Sequence, residues 1–146
     1  SGTLLIEQAL HGRVAQLVGA EINPDALERA RQNINAAGLQ RRVALTRMDA
    51  VHPALARGVF DVLYADLPWG QLVGSADENT VLYPVILRTA AELARPGARL
   101  VIITHAIRLF EESLAATGDL WETRAVLRVF QGGLHPRIYL LRRCAS

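Results

Sequence analysis

Lysine is missing from this chain: all 16 basic residues among its 146 are arginines. Any mechanism that needs a lysine, the Walker-type phosphate loop included, is excluded. Cysteine is nearly missing too. Cys144 stands alone, so no internal disulfide can form and a secreted disulfide scaffold is excluded. With a single cysteine, His11, His52, His105 and His135 show no metal-ligand spacing. They read as surface or packing residues, and no metal is expected. Apolar runs reach only a few residues, too short to span a membrane. The first residues lack the basic segment and apolar stretch of a signal peptide. A strong charge of one sign is also lacking. The 14 acidic residues leave a formal net charge of +2, which excludes a charged tail and argues against intrinsic disorder. A soluble, cytoplasmic protein is the default expectation.

What is present is core material. Hydrophobic residues make up 51%, enough for one domain over residues 1–146. Leu4, Leu5, Ile6, Ala9 and Leu10 mark a short helix. Val14 to Ile22 is apolar without alternation and reads as a buried strand. Asn23 is placed to cap a helix, Pro24 to open it and Gly38 to stop it. Leu27, Ala30, Ile34 and Ala37 would form its inner face. Arg42 to Arg47 is a strand candidate, and 50–58 a short helix or loop. Phe60 to Ala65 is a strand, and 71–79 a loop. Leu82, Ile86, Ala90 and Leu93 mark a further helix, stopped by Pro96-Gly97. Arg99 to Thr104 is a central strand and 106–117 a helix. Trp121 to Phe130 and Arg137 to Arg142 form a hairpin, with Trp121 inside. The order predicts a three-layer α/β domain with a largely parallel sheet and an antiparallel contribution from the hairpin. No strand precedes Ser1. The chain therefore reads as a domain cut inside its first loop, with open sheet edges that call for a partner or self-association.

Ligands of open α/β sheets sit beyond the carboxyl ends of the strands. Ser1-Gly2-Thr3, Glu21, Asp49 and Asp66 to Gly70 converge there in this reading. Glu21 can accept hydrogen bonds from both hydroxyls of a ribose; the alternative is a solvated loop acid. Asp49 can meet an exocyclic adenine amine, with Met48 and Ala50 walling the ring, or Met48 is ordinary core. Gly2 and Thr3 can offer backbone donors at a helix start.

Asp66-Leu67-Pro68-Trp69-Gly70 is the richest segment. Asp66 leaves an apolar strand at the ligand edge. Pro68 biases Leu67 away from helix, leaving the carbonyls of Leu67 and Pro68 to accept hydrogen bonds. Trp69 offers a flat face for a base, and Gly70 permits close approach. Such a set can grip a planar group bearing an amine, or it is a tight loop with Trp69 packed inward. Asn79 and Tyr83 follow closely enough to line the same pocket. Arg137, Arg142 and Arg143 can touch phosphates or simply be a solvated strand end.

These segments together resemble Rossmann-like S-adenosylmethionine-dependent RNA methyltransferases, and more narrowly the THUMP-associated group acting on guanine N2 of tRNA. Ser1-Gly2-Thr3-Leu4-Leu5-Ile6-Glu7 is similar to the tail of that family's first motif. The Asp-Pro-x-Cys-Gly-type stretch that opens the motif is absent here. Gly19-Ala20-Glu21, with Asn23-Pro24, resembles the ribose-binding motif, and Asp49 the adenine-contacting acid. Asp66 to Gly70 resembles the Asn/Asp-x-Pro-aromatic-Gly motif of amine methylation, with Trp69 where Tyr or Phe is usual. Gly132 to Tyr139 resembles the last hairpin. The resemblance implies S-adenosylmethionine held by Ser1, Gly2, Thr3, Glu21, Ile22, Asp49, Ala50 and Asp66. It implies a reaction at Asp66, Leu67, Pro68 and Trp69. Its substrate would be RNA, most simply tRNA, delivered by an upstream THUMP-type RNA-binding domain. The alternatives are guanine N2 of rRNA, adenine N6 of DNA or RNA, or a non-catalytic RNA-binding remnant of the fold.

Overall fold

Asn23 starts the best-defined helix as its side chain dictates. Its Oδ1 accepts from the backbone N–H groups of Asp25 at 2.9 Å and Ala26 at 3.2 Å, two donors that a helix start otherwise leaves unpaired. The computed structural model describes residues 1–68, 76–130 and 132–145, with 76–78 as backbone only. The chain forms two compact units, Ser1–Ala54 and Leu55–Ser146.

In the first unit, α1 (Thr3–His11) is followed by β1 (Leu17–Glu21), α2 (Pro24–Ala36) and β2 (Val43–Arg47). β1 and β2 are parallel, with Leu17 opposite Val43 and Glu21 opposite Arg47. α2 buries Leu27, Ala30 and Ile34. Ala37, expected on that face, is exposed, because the helix has already ended. Gly38 turns left-handed at φ +72°. The N–H of Leu39 then bonds back to the Ile34 carbonyl at 3.0 Å, the Schellman closure that seats an apolar residue against the last turn. Leu39 joins Ala9, Ile34 and Val43 in a small core. Arg42 closes the end of α1, its Nη1 donating to the Ala9 carbonyl at 2.6 Å.

The second unit comprises β3 (Phe60–Asp66), α3 (Ala76–Leu93), β4 (Ala94–Thr104), α4 (Ile107–Ala115), β5 (Trp121–Arg128) and β6 (Arg137–Arg143). Its sheet order is β3-β4-β6-β5. β3 and β4 are parallel, and β6 is antiparallel to both its neighbours. The sheet is therefore mixed, with the hairpin supplying its antiparallel half. The core joins Leu87, Leu100, Ile102, Phe110, Trp121 and Tyr139. Trp121 is inside, as expected, and its indole N–H satisfies the Leu87 carbonyl at 3.0 Å.

One open reading is decided and two local expectations fail for identifiable reasons. Of the two readings of residues 50–58, short helix or loop, the loop holds: the stretch contains turns and no helix. The expected loop 71–79 overlaps α3, which is already helical at Ala76. Among its described side chains the first buried one is the polar Asn79, which apolar periodicity does not reveal. The inner face of α3 runs through Tyr83, Leu87, Ala90 and Ala91, while Leu82 and Ile86 are half-buried. Pro96-Gly97 does not separate helix from strand. β4 begins at Ala94, and the register jumps from Phe60 opposite Ala94 to Val62 opposite Arg99. The Pro-Gly pair sits in that irregularity, with Gly97 at φ +78°.

Candidate active site

The first unit gathers its candidates at the carboxyl end of β1. A cavity of about 100 Å³ is lined by Ser1, Gly2, Gly19, Glu21, Ala30 and others. Gly2 precedes α1 in the left-handed region at φ +73°. From there its carbonyl accepts the N–H groups of both Leu5 and Ile6 at 3.1 Å. A side chain at Gly2 would meet Ala30 Cβ at 3.3 Å. The Ser1 carbonyl is tied to α2 by Asn33 Nδ2 at 2.9 Å. Gly19, a motif residue in the sequence, is also closely packed. A Cβ there would fall 2.5 Å from Leu5 Cδ1 and 2.8 Å from Leu45 Cδ2, so a larger residue would make these two leucine side chains shift.

Glu21 Oε1 accepts from Asn23 N–H at 2.9 Å; Oε2 has no partner among the described residues. The backbone ladder continues past Glu21, whose carbonyl accepts from Met48 N–H at 3.1 Å. Asp49 follows directly. Its Oδ1 accepts from Val51 N–H at 2.9 Å, and Oδ2 lies 3.7 Å from His52 Nδ1. Ile22, Asp49 and Ala50 are exposed at this strand end. Thr3 is the first residue of α1.

The second unit presents Asp66 as the last residue of β3, beyond which Leu67 N–H still bonds to the Ile103 carbonyl at 3.0 Å. Leu67 is buried and anchors the segment. Asp66 is exposed on its solvent side. Partial burial nevertheless raises its carboxyl above the usual carboxylate range, while the charge of His105 pulls it down. His105, expected to be a surface or packing residue, thus acts electrostatically on the candidate acid.

The Pro68 carbonyl is not available in the way the sequence implied. It accepts from Tyr83 Oη at 2.5 Å and Asn79 Nδ2 at 3.1 Å, which uses both lone pairs of a carbonyl oxygen. Tyr83 is fully buried and lies 3.2 Å from Thr104 Oγ1, which in turn accepts from Ala106 N–H at 3.1 Å. Burial raises the phenol above its usual value, the Thr104 hydrogen bond lowers it and the Asp66 charge raises it. Tyr83 therefore stays protonated and donates. Asn79 and Tyr83 hold the Pro68 carbonyl, and among the described residues Asp66 and the Leu67 carbonyl are the acceptors of this segment with no donor on them. Thr104 was missed by sequence reading. Its signal was its place ending an apolar strand at the level of Asp66. Trp69 and Gly70 lie outside the described residues.

A larger groove of about 360 Å³ lies elsewhere in this unit, lined by Glu111, Leu114, Trp121, Val126 and Tyr139 among others. It contains none of the predicted site residues. Its polar wall is a network in which Arg137 Nη1 and Tyr139 Oη both reach Glu111 Oε1, at 2.7 and 2.8 Å.

Comparison with known proteins settles the family. Residues 1–137 match the family described as UPF0020: RMKL-like, methyltransferase domain. The chain belongs to that family. It is 30% identical over 155 residues to the tRNA (guanine(6)-N(2))-methyltransferase THUMP3 of Bos taurus, covering 98% of this chain and 31% of the relative. It is 29% identical to the tRNA (guanine(6)-N2)-methyltransferase of Thermus thermophilus, covering 98% of this chain and 42% of the relative. The crystal structure of TrmN from Thermus thermophilus superposes with a TM-score of 0.83 at 26% identity, over 97% of this chain and 40% of that one. This methyltransferase domain thus has the expected Rossmann-like α/β fold. The chain spans about a third of the length of the THUMP3 relatives it matches.

Proposed function

We propose that this methyltransferase domain transfers a methyl group from S-adenosylmethionine to the exocyclic N2 of a guanine in tRNA. The observation that carries the reading is the Asp66 to Pro68 segment. An acid and a backbone carbonyl are presented at the carboxyl end of a parallel strand, on a peptide clamped by Tyr83 and Asn79. The tRNA guanine-N2 methyltransferases among its relatives support the choice of substrate.

The residues of the first unit fit the methyl donor in part. At roughly 30 Å³ per water, the cavity at Ser1, Gly2 and Glu21 takes one small polar moiety rather than a nucleoside. Glu21 Oε2 suits a ribose hydroxyl. Ile22, Asp49 and Ala50 are exposed for an adenine at the strand end that the β1–β2 pairing shares with Glu21, and Gly2 and Thr3 begin a helix that favours a carboxylate. When bound, S-adenosylmethionine supplies an electrophilic methyl carbon on its sulfonium.

The chain's other residues handle the acceptor. A guanine leaves its stack at a cost of a few kcal/mol, less in a loop. Trp69 supplies the stacking face. Asp66 and the Leu67 carbonyl accept from the amine and direct its nitrogen lone pair, and Asp66 takes up the proton released. The gain comes from positioning and preorganised dipoles. A net charge of only +2 gives little attraction for RNA, which leaves capture to a THUMP-type partner domain.

The test is nucleoside analysis of tRNA methylated by the protein. N2-methylguanosine that disappears with Asp66→Ala is the expected result. N6-methyladenosine would redirect the reading to adenine, and full activity in Asp66→Ala would remove Asp66 from the site.

A further inference from the structure

The β5–β6 hairpin ends in an exposed ring pair that the fold does not need. Phe130 is 72% exposed, and its ring lies 5.3 Å from that of His135 at an interplanar angle of 52°. His135 is exposed as well. Immediately before the tip, Arg128 and Arg137 stand directly opposite each other on the two strands, an arrangement that like charges disfavour. Arg137 is compensated by Glu111 at 2.7 Å. Arg128 is exposed and has no ion pair among the described residues. An aromatic face beside an uncompensated guanidinium is the chemistry that binds a base and its phosphate.

The register fixes where this tip lies. Asp66 pairs with Ile103, Ile103 with Ile138, and Ile138 with Leu127. The hairpin tip therefore projects from the same end of the sheet as Asp66. β5 lies three strand spacings from β3, or about 14 Å at roughly 4.8 Å per strand. A single-stranded segment spans that distance in a few nucleotides.

We propose that the hairpin tip is an RNA platform. Phe130, backed by His135, stacks a base flanking the target nucleotide, while Arg128 holds a neighbouring phosphate. The inference rests on the RNA methyltransferase reading above and extends it to a second contact outside the reacting site. A nucleotide brings a flat base and an anion in one unit, whereas a protein partner would have to supply an apolar contact and a separate acidic side chain, so RNA is the occupant that answers both features most directly.

The experiment is steady-state methyl transfer by the full chain, with tritiated S-adenosylmethionine and a pool of in vitro transcribed tRNAs. Phe130→Ala should raise KM for RNA about tenfold, within the range of a lost base stack, with kcat nearly unchanged. Phe130→Trp should behave as wild type, and thermal unfolding should not move, because the ring is exposed. Arg128→Ala should reduce the slope of log affinity against log salt by about one phosphate contact. If the wild type methylates RNA and Phe130→Ala keeps its KM, the platform is wrong and the function stands. If Phe130→Ala instead alters only self-association, a second copy is the occupant and the platform is wrong. If the wild type methylates no RNA, the functional reading fails and the platform falls with it.

Discussion

Tyr83 reaches back across fifteen residues to give its hydroxyl proton to the carbonyl of Pro68, at 2.5 Å. The bond joins the inner face of α3 to the segment that leaves β3. With Asn79, which donates to the same oxygen at 3.1 Å, it ties the proline turn just beyond Asp66 and the buried Leu67 to that helix.

Tyr83→Phe should therefore damage function more than folding. The substitution keeps the ring against Phe110, 6.4 Å away by centroids, and leaves Asn79 on the Pro68 carbonyl. The hydroxyl has two hydrogen-bond partners, the Pro68 carbonyl and Thr104 Oγ1, each worth about 1 kcal/mol net, so unfolding should shift by about 1–2 kcal/mol. Methyl transfer should lose about tenfold in kcat, since positioning errors are amplified in rate, while S-adenosylmethionine affinity by calorimetry stays constant. An unchanged kcat would show that the clamp is structural only.

The pH profile reports on Asp66. The carboxylate, not the acid, accepts from an amine, so transfer is lost as pH falls through its pKa. Burial raises that pKa, which puts the acid limb at higher pH than a free carboxylate would give. His105 opposes the shift, so His105→Ala should move the limb further upward. Asp66→Asn should lower the rate by about tenfold or more and abolish the limb. A limb that survives in Asp66→Asn belongs to another group.

Much of this architecture is legible from local chemistry. Asn23-Pro24 and Gly38 bracket α2 because caps and left-handed turns depend on neighbours in sequence. Glu21 and Asp66 end apolar strands, and strand ends can be read without knowing the sheet. The failures are those of distance. Asn79 looks like a loop residue until the Pro68 carbonyl that justifies its burial is known. The Pro68 carbonyl looks free until Tyr83 is placed against it. Gly19 looks like a motif glycine, although Leu5 and Leu45 also pack into the space a side chain there would take. Each depends on a contact between segments that sequence spacing does not encode.

Glu21 can be separated from its structural duty. Oε1 is already bonded to Asn23 N–H, so Glu21→Ala removes a local turn bond as well as any ligand contact. Glu21→Gln keeps an acceptor for Asn23. Both variants should weaken S-adenosylmethionine binding by about tenfold, or 1.4 kcal/mol, if the second carboxylate oxygen holds a ribose hydroxyl. Affinity lost in Glu21→Ala but retained in Glu21→Gln would assign the residue to the turn alone.

Gly2 offers a choice between two physical causes. Its left-handed φ is unfavourable for a residue with a Cβ by about 1–2 kcal/mol, and its Cβ would also press on Ala30 at 3.3 Å. Alanine suffers both effects. Asparagine tolerates the left-handed region but carries the same Cβ. If backbone conformation dominates, Gly2→Asn should retain most of the stability that Gly2→Ala loses, as read from denaturant midpoints at constant m. If the two variants lose equal amounts, the approach to Ala30 dominates. In that case Gly2→Ala combined with Ala30→Gly should lose less than the two single substitutions added together. The expected outcome is the first. The Ala30 contact needs only a few tenths of an ångström of adjustment, whereas the positive φ is fixed by the bonds from Leu5 and Ile6 to the Gly2 carbonyl.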